Sequence, residues 1–278
     1  MKQIYSLWFI LCMNFFSYLG TKAFIQLKTR YRASKYIPST TRLFGEPDKE
    51  FIKDKRLISI SPGGYKGVYM LGVSMYIRNH YDLDNFIYSG ASAGAWISLL
   101  LCYKKDAHYL KTIVDDCLNK AYSLYDLEML MKKQILKKCV KEDFDLRRLF
   151  IGVTTIDYYK ANTTIFSGFI NLEDAIDCCI ASSHIPLITG GFINKYNNRL
   201  TFDGGFSKYP YLDIIKPALH ITPSMWMPNS PTSMNISDYT TLFSKNKMNF
   251  IELYENGYND TEKNKDKLDQ LLNSNHLS

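Results

Sequence analysis

Apolar residues in this chain fall into short runs divided by glycine turns, and the runs have two kinds of spacing. Residues 56–61, 86–89, 149–156, 162–167 and 217–223 are brief and rich in Ile, Val, Phe, Tyr and Thr, as strands are. Residues 68–77, 95–102, 107–121, 125–140 and 172–181 are longer and carry apolar positions at helical spacing. Strands alternating with helices predict an α/β fold, a three-layer α/β/α sandwich on a mostly parallel central sheet. Residues 224–248, rich in Ser, Asn and Pro, predict a loop or cap, and the polar residues 259–278 predict a tail that frays. With 46% hydrophobic and 14% aromatic residues over 278 positions, the chain can bury one substantial core.

Three of the turns carry chemistry. Gly90-Ala91-Ser92-Ala93-Gly94 lies between a predicted strand and a predicted helix. A Gly-x-Ser-x-Gly turn at such a corner exposes the serine as a nucleophile, with the helix N-terminus behind it. Gly90 and Gly94 let strand and helix approach. Ser61-Pro62-Gly63-Gly64-Tyr65-Lys66-Gly67 is a second strand–turn–helix corner. Its successive backbone N–H groups suit an oxyanion. The Walker pattern is absent, and Pro62 occupies the first glycine of the dinucleotide pattern, so nucleotide binding is not indicated. Asp203-Gly204-Gly205 follows a predicted strand at 198–202, and taken alone it reads as a hairpin turn.

In this order the three segments resemble the patatin-like phospholipases. Residues 179–186 are similar to that family's Ala-Ser-x-x-x-Pro segment, the run from Asp203 to Pro210 to its aspartate turn, and residues 250–258 to its Gly-Tyr segment. The resemblance spans residues 57–258. It implies Ser92 as nucleophile, Asp203 as general base of a dyad without histidine, and an oxyanion loop of Gly63, Gly64, Tyr65, Lys66 and Gly67. Gly90, Gly94, Gly204 and Gly205 support the turns. The family implies no metal and no cofactor. Pro62 departs from the family's usual glycine and has no N–H to donate. His220 follows Asp203 and would complete a Ser–Asp–His order, but it sits in a predicted buried strand between Pro217 and Pro223. His184 lies in the Ala-Ser segment and could border the site.

The net charge of +7 could point to nucleic acid, but Lys2, Lys22, Lys28, Arg30, Arg32, Lys35 and Arg42 account for all of it. The remainder is neutral and gives no case for binding polyanions. Residues 1–23, with Lys2 ahead of an apolar stretch at 4–19, read as a signal peptide, the alternative being a membrane anchor. Residues 24–50 read as a basic transit-like leader, as in algae with complex plastids, and residues 51–258 as the acyl hydrolase domain. Cys102, Cys117 and Cys178 fall on apolar helical stretches and read as buried thiols. Met225-Trp226-Met227 could be an interfacial tip, though an element of core or cap is the stronger reading.

The expected activity is a serine acyl hydrolase cleaving fatty-acyl esters of membrane glycerolipids, in peripheral contact with a membrane. The rivals are an acyltransferase or neutral-lipid lipase on the same dyad, and an inactive lipid- or partner-binding module.

Overall fold

A computed structural model of the chain describes residues 42–45, 48–157, 160–207, 209–226 and 250–273. The signal-peptide and most leader positions, Met227 and most of the Ser- and Asn-rich loop lie outside them. Strands β1 (Arg42–Phe44), β2 (Arg56–Ile60), β3 (Phe86–Ala91), β4 (Leu149–Asp157), β5 (Lys160–Phe166) and β8 (Pro217–Ile221) form a sheet in the order β1-β5-β4-β3-β2-β8. All neighbours in it are parallel except β4 and β5. A hairpin of β6 (Asn194–Tyr196) and β7 (Arg199–Phe202) joins through β7, antiparallel to β4.

The helices are α1 (Lys49–Ile52), α2 (Gly67–His80), α3 (Ala93–Leu101), α4 (Ala107–Lys120), α5 (Leu124–Lys138), α6 (Leu172–Ser182), α7 (Phe250–Lys263) and α8 (Lys265–Asn273). Polar side chains start several of them. Asp106, Ser123 and Asn171 accept from the backbone N–H groups of His108, Asp126 and Asp174 at 2.9, 3.1 and 2.8 Å, satisfying donors that helix starts leave free.

Strand alternation divides the core between the two faces of the sheet. Ile58, Tyr88, Leu149, Ile151 and Phe166 face a large cluster shared with α2 to α8. Leu57, Ile87, Phe150 and Ile165 face a smaller one, covered by Ile52 of α1 and Leu212. The sheet is thus the middle of three layers, with one outer layer thin. Arg148 holds the β3 start: it donates to the carbonyls of Leu83 and Phe86 and to the Tyr88 hydroxyl.

Both ends of the chain extend the fold further than the sequence pattern indicates. Arg42–Phe44, inside the basic leader, pairs in parallel with β5. The polar stretch after residue 258 does not fray over its described part. It continues α7 and forms α8, whose Leu268 and Leu272 are buried one turn apart. Each such leucine contributes about 1.5–3 kcal/mol, enough to anchor an otherwise polar helix. Two apolar positions in nine residues are too sparse to show as a periodic signal. Trp226 donates to the Thr261 hydroxyl at 2.9 Å and, with Met225, packs on the main core, so this pair belongs to the core or cap. Cys102, Cys117, Cys139, Cys178 and Cys179 are buried free thiols.

Candidate active site

Sheet topology brings Ser92 and Asp203 together. One edge of β4 pairs first with β3, over Leu149 to Gly152, and then with β7, over Thr154 to Ile156. The other edge is taken by β5. Strands β3 and β7 therefore lie end to end along the same edge and run toward each other. Ala91 is opposite Gly152, and Phe202 is opposite Thr154. The residues that leave these two strands, Ser92 and Asp203, meet in the gap. Ser92 Oγ donates to Asp203 Oδ2 at 2.6 Å. The other carboxylate oxygen accepts from the Gly205 N–H at 2.6 Å. The Asp203 backbone is held from both sides: its carbonyl accepts from the Thr154 hydroxyl at 2.9 Å, and its N–H donates to the His184 carbonyl at 2.8 Å.

Ser92 has φ 56° and ψ −127°, a conformation that costs a side-chain-bearing residue about 1–3 kcal/mol. Surrounding contacts enforce it. Its N–H donates to Ser182 Oγ at 2.8 Å, and that hydroxyl donates to the Gly152 carbonyl at 2.7 Å. Close approach does the rest. A Cβ on Gly94 would lie 2.2 Å from the Ile60 carbonyl oxygen, and one on Gly67 would lie 2.3 Å from Ala93 Cβ. Only glycine at both positions lets the β2 end and the α2 start press against the elbow. Ser182 is a positioning residue that motif reading did not single out. It lies in the Ala-Ser segment, so its place was visible while its partner was not.

The glycine-rich turn is split in its contributions. The Gly67 N–H is occupied, donating to the Gly64 and Tyr65 carbonyls. It closes the turn and cannot serve an oxyanion, a correction to the sequence expectation. The amides of Gly63 and Gly64 have no backbone acceptor among the described residues. Gly64 borders the same cavity as Ser92, whereas Gly63, Tyr65 and Lys66 do not, so Gly64 is the turn's best-placed free amide. Ala93, the first residue of α3, also borders it, and the first amide of a helix has no partner within the helix. Pro62 packs beside the aspartate turn, its Cβ 3.1 Å from where a Gly205 Cβ would be. A Cβ at Gly204 would meet the Gly152 carbonyl oxygen at 2.3 Å.

No histidine joins the pair. The His220 ring nitrogens bond Ser59 Oγ at 2.7 Å and Ser61 Oγ at 3.2 Å, and the Tyr211 hydroxyl donates to Ser61. This network braces the strand entering the glycine turn. His184 contributes its backbone carbonyl to Asp203, while its ring is buried and tilted against Phe202.

A cavity of about 700 Å³, including its open mouth, leads away from Ser92. Its wall is apolar: Val68 and Leu71 of α2, Ile97 and Leu100 of α3, Val114 and Leu118 of α4. Burial raises the Asp203 carboxyl to about 6, with the Ser92 and Gly205 hydrogen bonds pulling the other way. A carboxylate so placed is a stronger base than one in water. A second carboxyl, Glu128 of α5, borders the cavity and is only 9% exposed. Its Oε2 has no hydrogen-bond partner. Leaving a buried polar atom unpaired costs about 1–3 kcal/mol, and Glu128 carries that cost within the cavity wall. It interrupts the apolar stripe of Leu124, Leu127 and Met131, and a charged residue on that stripe was the available signal. Among the described residues no group of three His, Cys, Asp or Glu side chains could hold a metal ion.

Comparison with known proteins gives one family match and a distant structural similarity. The family described as "Patatin-like phospholipase" matches residues 58–214, more than half of the chain. A search of curated proteins finds no match. The solved structure of VipD from Legionella pneumophila is similar at TM-score 0.40 and 15% identity, covering 80% of this chain and 67% of that one.

Proposed function

This chain belongs to the patatin-like phospholipase family and is a lipid acyl hydrolase; from that premise we propose that it cleaves fatty-acyl esters of membrane glycerolipids through Ser92 and Asp203. The observation that carries this reading is the 2.6 Å bond from Ser92 Oγ to Asp203 Oδ2 at the mouth of an apolar cavity. The cavity takes the acyl chain, which places the ester carbonyl at Ser92.

Ser92 Oγ attacks the carbonyl carbon as its proton passes to Asp203 Oδ2. The carbonyl oxygen becomes an oxyanion within reach of the Gly63, Gly64 and Ala93 amides. Donors of this kind are worth several kcal/mol in acyl transfer. The intermediate collapses, the C–O bond to the glycerol oxygen breaks, and that oxygen leaves with the proton from Asp203. Water then attacks the acyl-enzyme, giving its proton to Asp203 and its hydroxyl to the acyl carbon. Fatty acid departs and Ser92 recovers its proton. An alcohol is far less acidic than a carboxylic acid even near 6, so transfer is concerted with attack.

Exposed apolar side chains lie close in sequence to residues of the cavity wall. Leu187, Phe192 and Ile193 lie on the loop that also supplies Ile185 and Thr189 to the cavity, and Phe206 lies on the Asp203 turn. Together they form the rim that would meet a lipid surface, where large apolar side chains gain most.

An active-site fluorophosphonate tests the reading. Wild type should be labelled and should release free fatty acid from phosphatidylcholine and galactolipid vesicles. Ser92→Ala should do neither while melting at a similar temperature. Undiminished fatty-acid release by well-folded Ser92→Ala would refute it. Charging the rim with Phe192→Asp and Ile193→Asp should abolish flotation with vesicles and spare hydrolysis of a water-soluble short-chain ester.

A further inference from the structure

Glu128 has no role in the dyad, yet it stands in the wall of the proposed acyl cavity. It comes from α5, between Leu127 and Met131, and is nine-tenths buried. The Trp96 indole and the Ser183 hydroxyl lie beside its carboxyl. These two also bond each other, Trp96 Nε1 donating to Ser183 Oγ at 3.3 Å, and Ser183 Oγ donating onward to the Cys179 carbonyl at 2.9 Å. One carboxyl oxygen of Glu128, itself shielded from solvent, has no hydrogen-bond partner among the described residues. Among the described residues, the charged group that acts on it is Asp203, of the same sign. Burial pushes the Glu128 carboxyl well above the ordinary carboxylate range, with Ser183 and Trp96 pulling down and the charge of Asp203 adding to the rise. A protonated carboxyl can both donate and accept, and a charged one accepts. An aliphatic chain lying against it cannot satisfy it. A chain carrying a hydroxyl can, because a hydroxyl also donates and accepts.

We infer that Glu128 is a specificity residue that hydrogen-bonds an oxygen substituent on the acyl chain, so that the preferred substrates are esters of hydroxylated fatty acids. The inference rests on the acyl-cavity reading above. Trp96 is one helical turn beyond Ser92, about 6 Å along α3, so the recognised hydroxyl lies in the half of the chain nearer the ester. Discrimination follows from the same physics that makes an unpaired polar group costly. A site built around a hydrogen bond rejects the ligand that lacks it more strongly than an apolar wall rejects an extra hydroxyl.

The test compares kcat/KM on nitrophenyl esters of one chain length, unsubstituted or carrying a single hydroxyl at successive positions. Wild type, Glu128→Leu and Glu128→Gln are each normalised to active sites counted with the fluorophosphonate. Wild type should favour one hydroxylated ester over the plain ester by about tenfold or more. Glu128→Leu should lose that preference, slower on the hydroxylated ester and no slower on the plain one. Glu128→Gln, which still donates and accepts, should retain most of it. Equal rates on all esters for labelled wild type overturn this inference and leave the acyl hydrolase reading standing. A uniform loss on every ester in Glu128→Leu overturns it too, since that is a purely structural role. No labelling and no hydrolysis by wild type overturn both readings. The wild-type series decides the matter even if Glu128→Leu does not fold.

Discussion

Two neighbouring strands of the sheet end in glycine corners that look alike in sequence and perform opposite tasks. At the β2 corner the left-handed backbone is taken by Gly64, φ 51°, and no side chain is involved. At the β3 corner nearly the same φ, 56°, is taken by Ser92. Glycine adopts that φ freely, so the β2 corner relaxes into a short turn whose Gly63 and Gly64 amides have no backbone acceptor among the described residues. Serine adopts it under compulsion, from the Ser182 hydroxyl, the Gly94 approach to Ile60 and the Gly67 approach to Ala93. The strain aims the hydroxyl at Asp203. One corner leaves backbone amides without backbone acceptors and the other holds a hydroxyl against a carboxylate, and the two are pressed together because both strands are parallel neighbours.

The largest separation between the corners comes from Ser92→Ala. It should lower kcat by roughly 10⁴-fold or more and abolish fluorophosphonate labelling, with little change in stability. Asp203→Asn should match that loss, measured as fatty-acid release, because the amide keeps an acceptor for Ser92 but cannot take its proton. Its stability is equally informative. The folded carboxyl sits at about 6 against an ordinary 3.8, so the native state binds the proton more tightly than the unfolded chain. The charged form costs the native state nothing extra below about pH 4, and the cost grows as pH rises through about 6. Asn avoids it. Denaturant melts should therefore find Asp203→Asn more stable than wild type at pH 8, by up to about 3 kcal/mol, and no more stable at pH 4. The same titration should appear in wild-type kcat/KM as one limb rising through about pH 6.

Gly67→Ala attacks the junction between the corners. The added methyl must displace Ala93, at a cost of about 1–3 kcal/mol in stability, and a shift near 1 Å in the elbow should lower kcat about 100-fold. Stopped assays and thermal melts on the same preparation would measure both. Strain at the elbow is read by comparing Ser92→Gly with Ser92→Ala: both are inactive, and the glycine variant should be the more stable by about 1 kcal/mol. The smallest effect belongs to Pro62→Gly. It should cost about 0.4–1 kcal/mol by loosening the unfolded chain, and change kcat/KM by less than about tenfold, because the amides without a backbone acceptor are those of Gly63 and Gly64.

The elbow and the glycine turn were legible because their requirements are local. A strand, a small-residue turn and a helix occupy consecutive residues, and the spacing of Gly90, Ser92 and Gly94 records the geometry directly. The helices at Gly67–His80, Ala107–Lys120 and Leu172–Ser182 were legible for the same reason, since period and caps are short-range. Strand β1 was not. Three residues in a basic stretch carry no pattern, and they form a strand because β5 offers an edge.

By itself the chain determined the main strands and helices and the two corners between them, all set by interactions within a few residues. Tertiary structure decided which residues face each other. Asp203 reads as a hairpin turn until β7 is laid against β4 in line with β3, a pairing across some fifty residues that no local spacing encodes. The closing of Gly67's amide, the idle histidines and the unpaired acid at Glu128 were decided there as well. Each depends on what lies across the fold, and the free energy of a buried polar group is set by its neighbours in space.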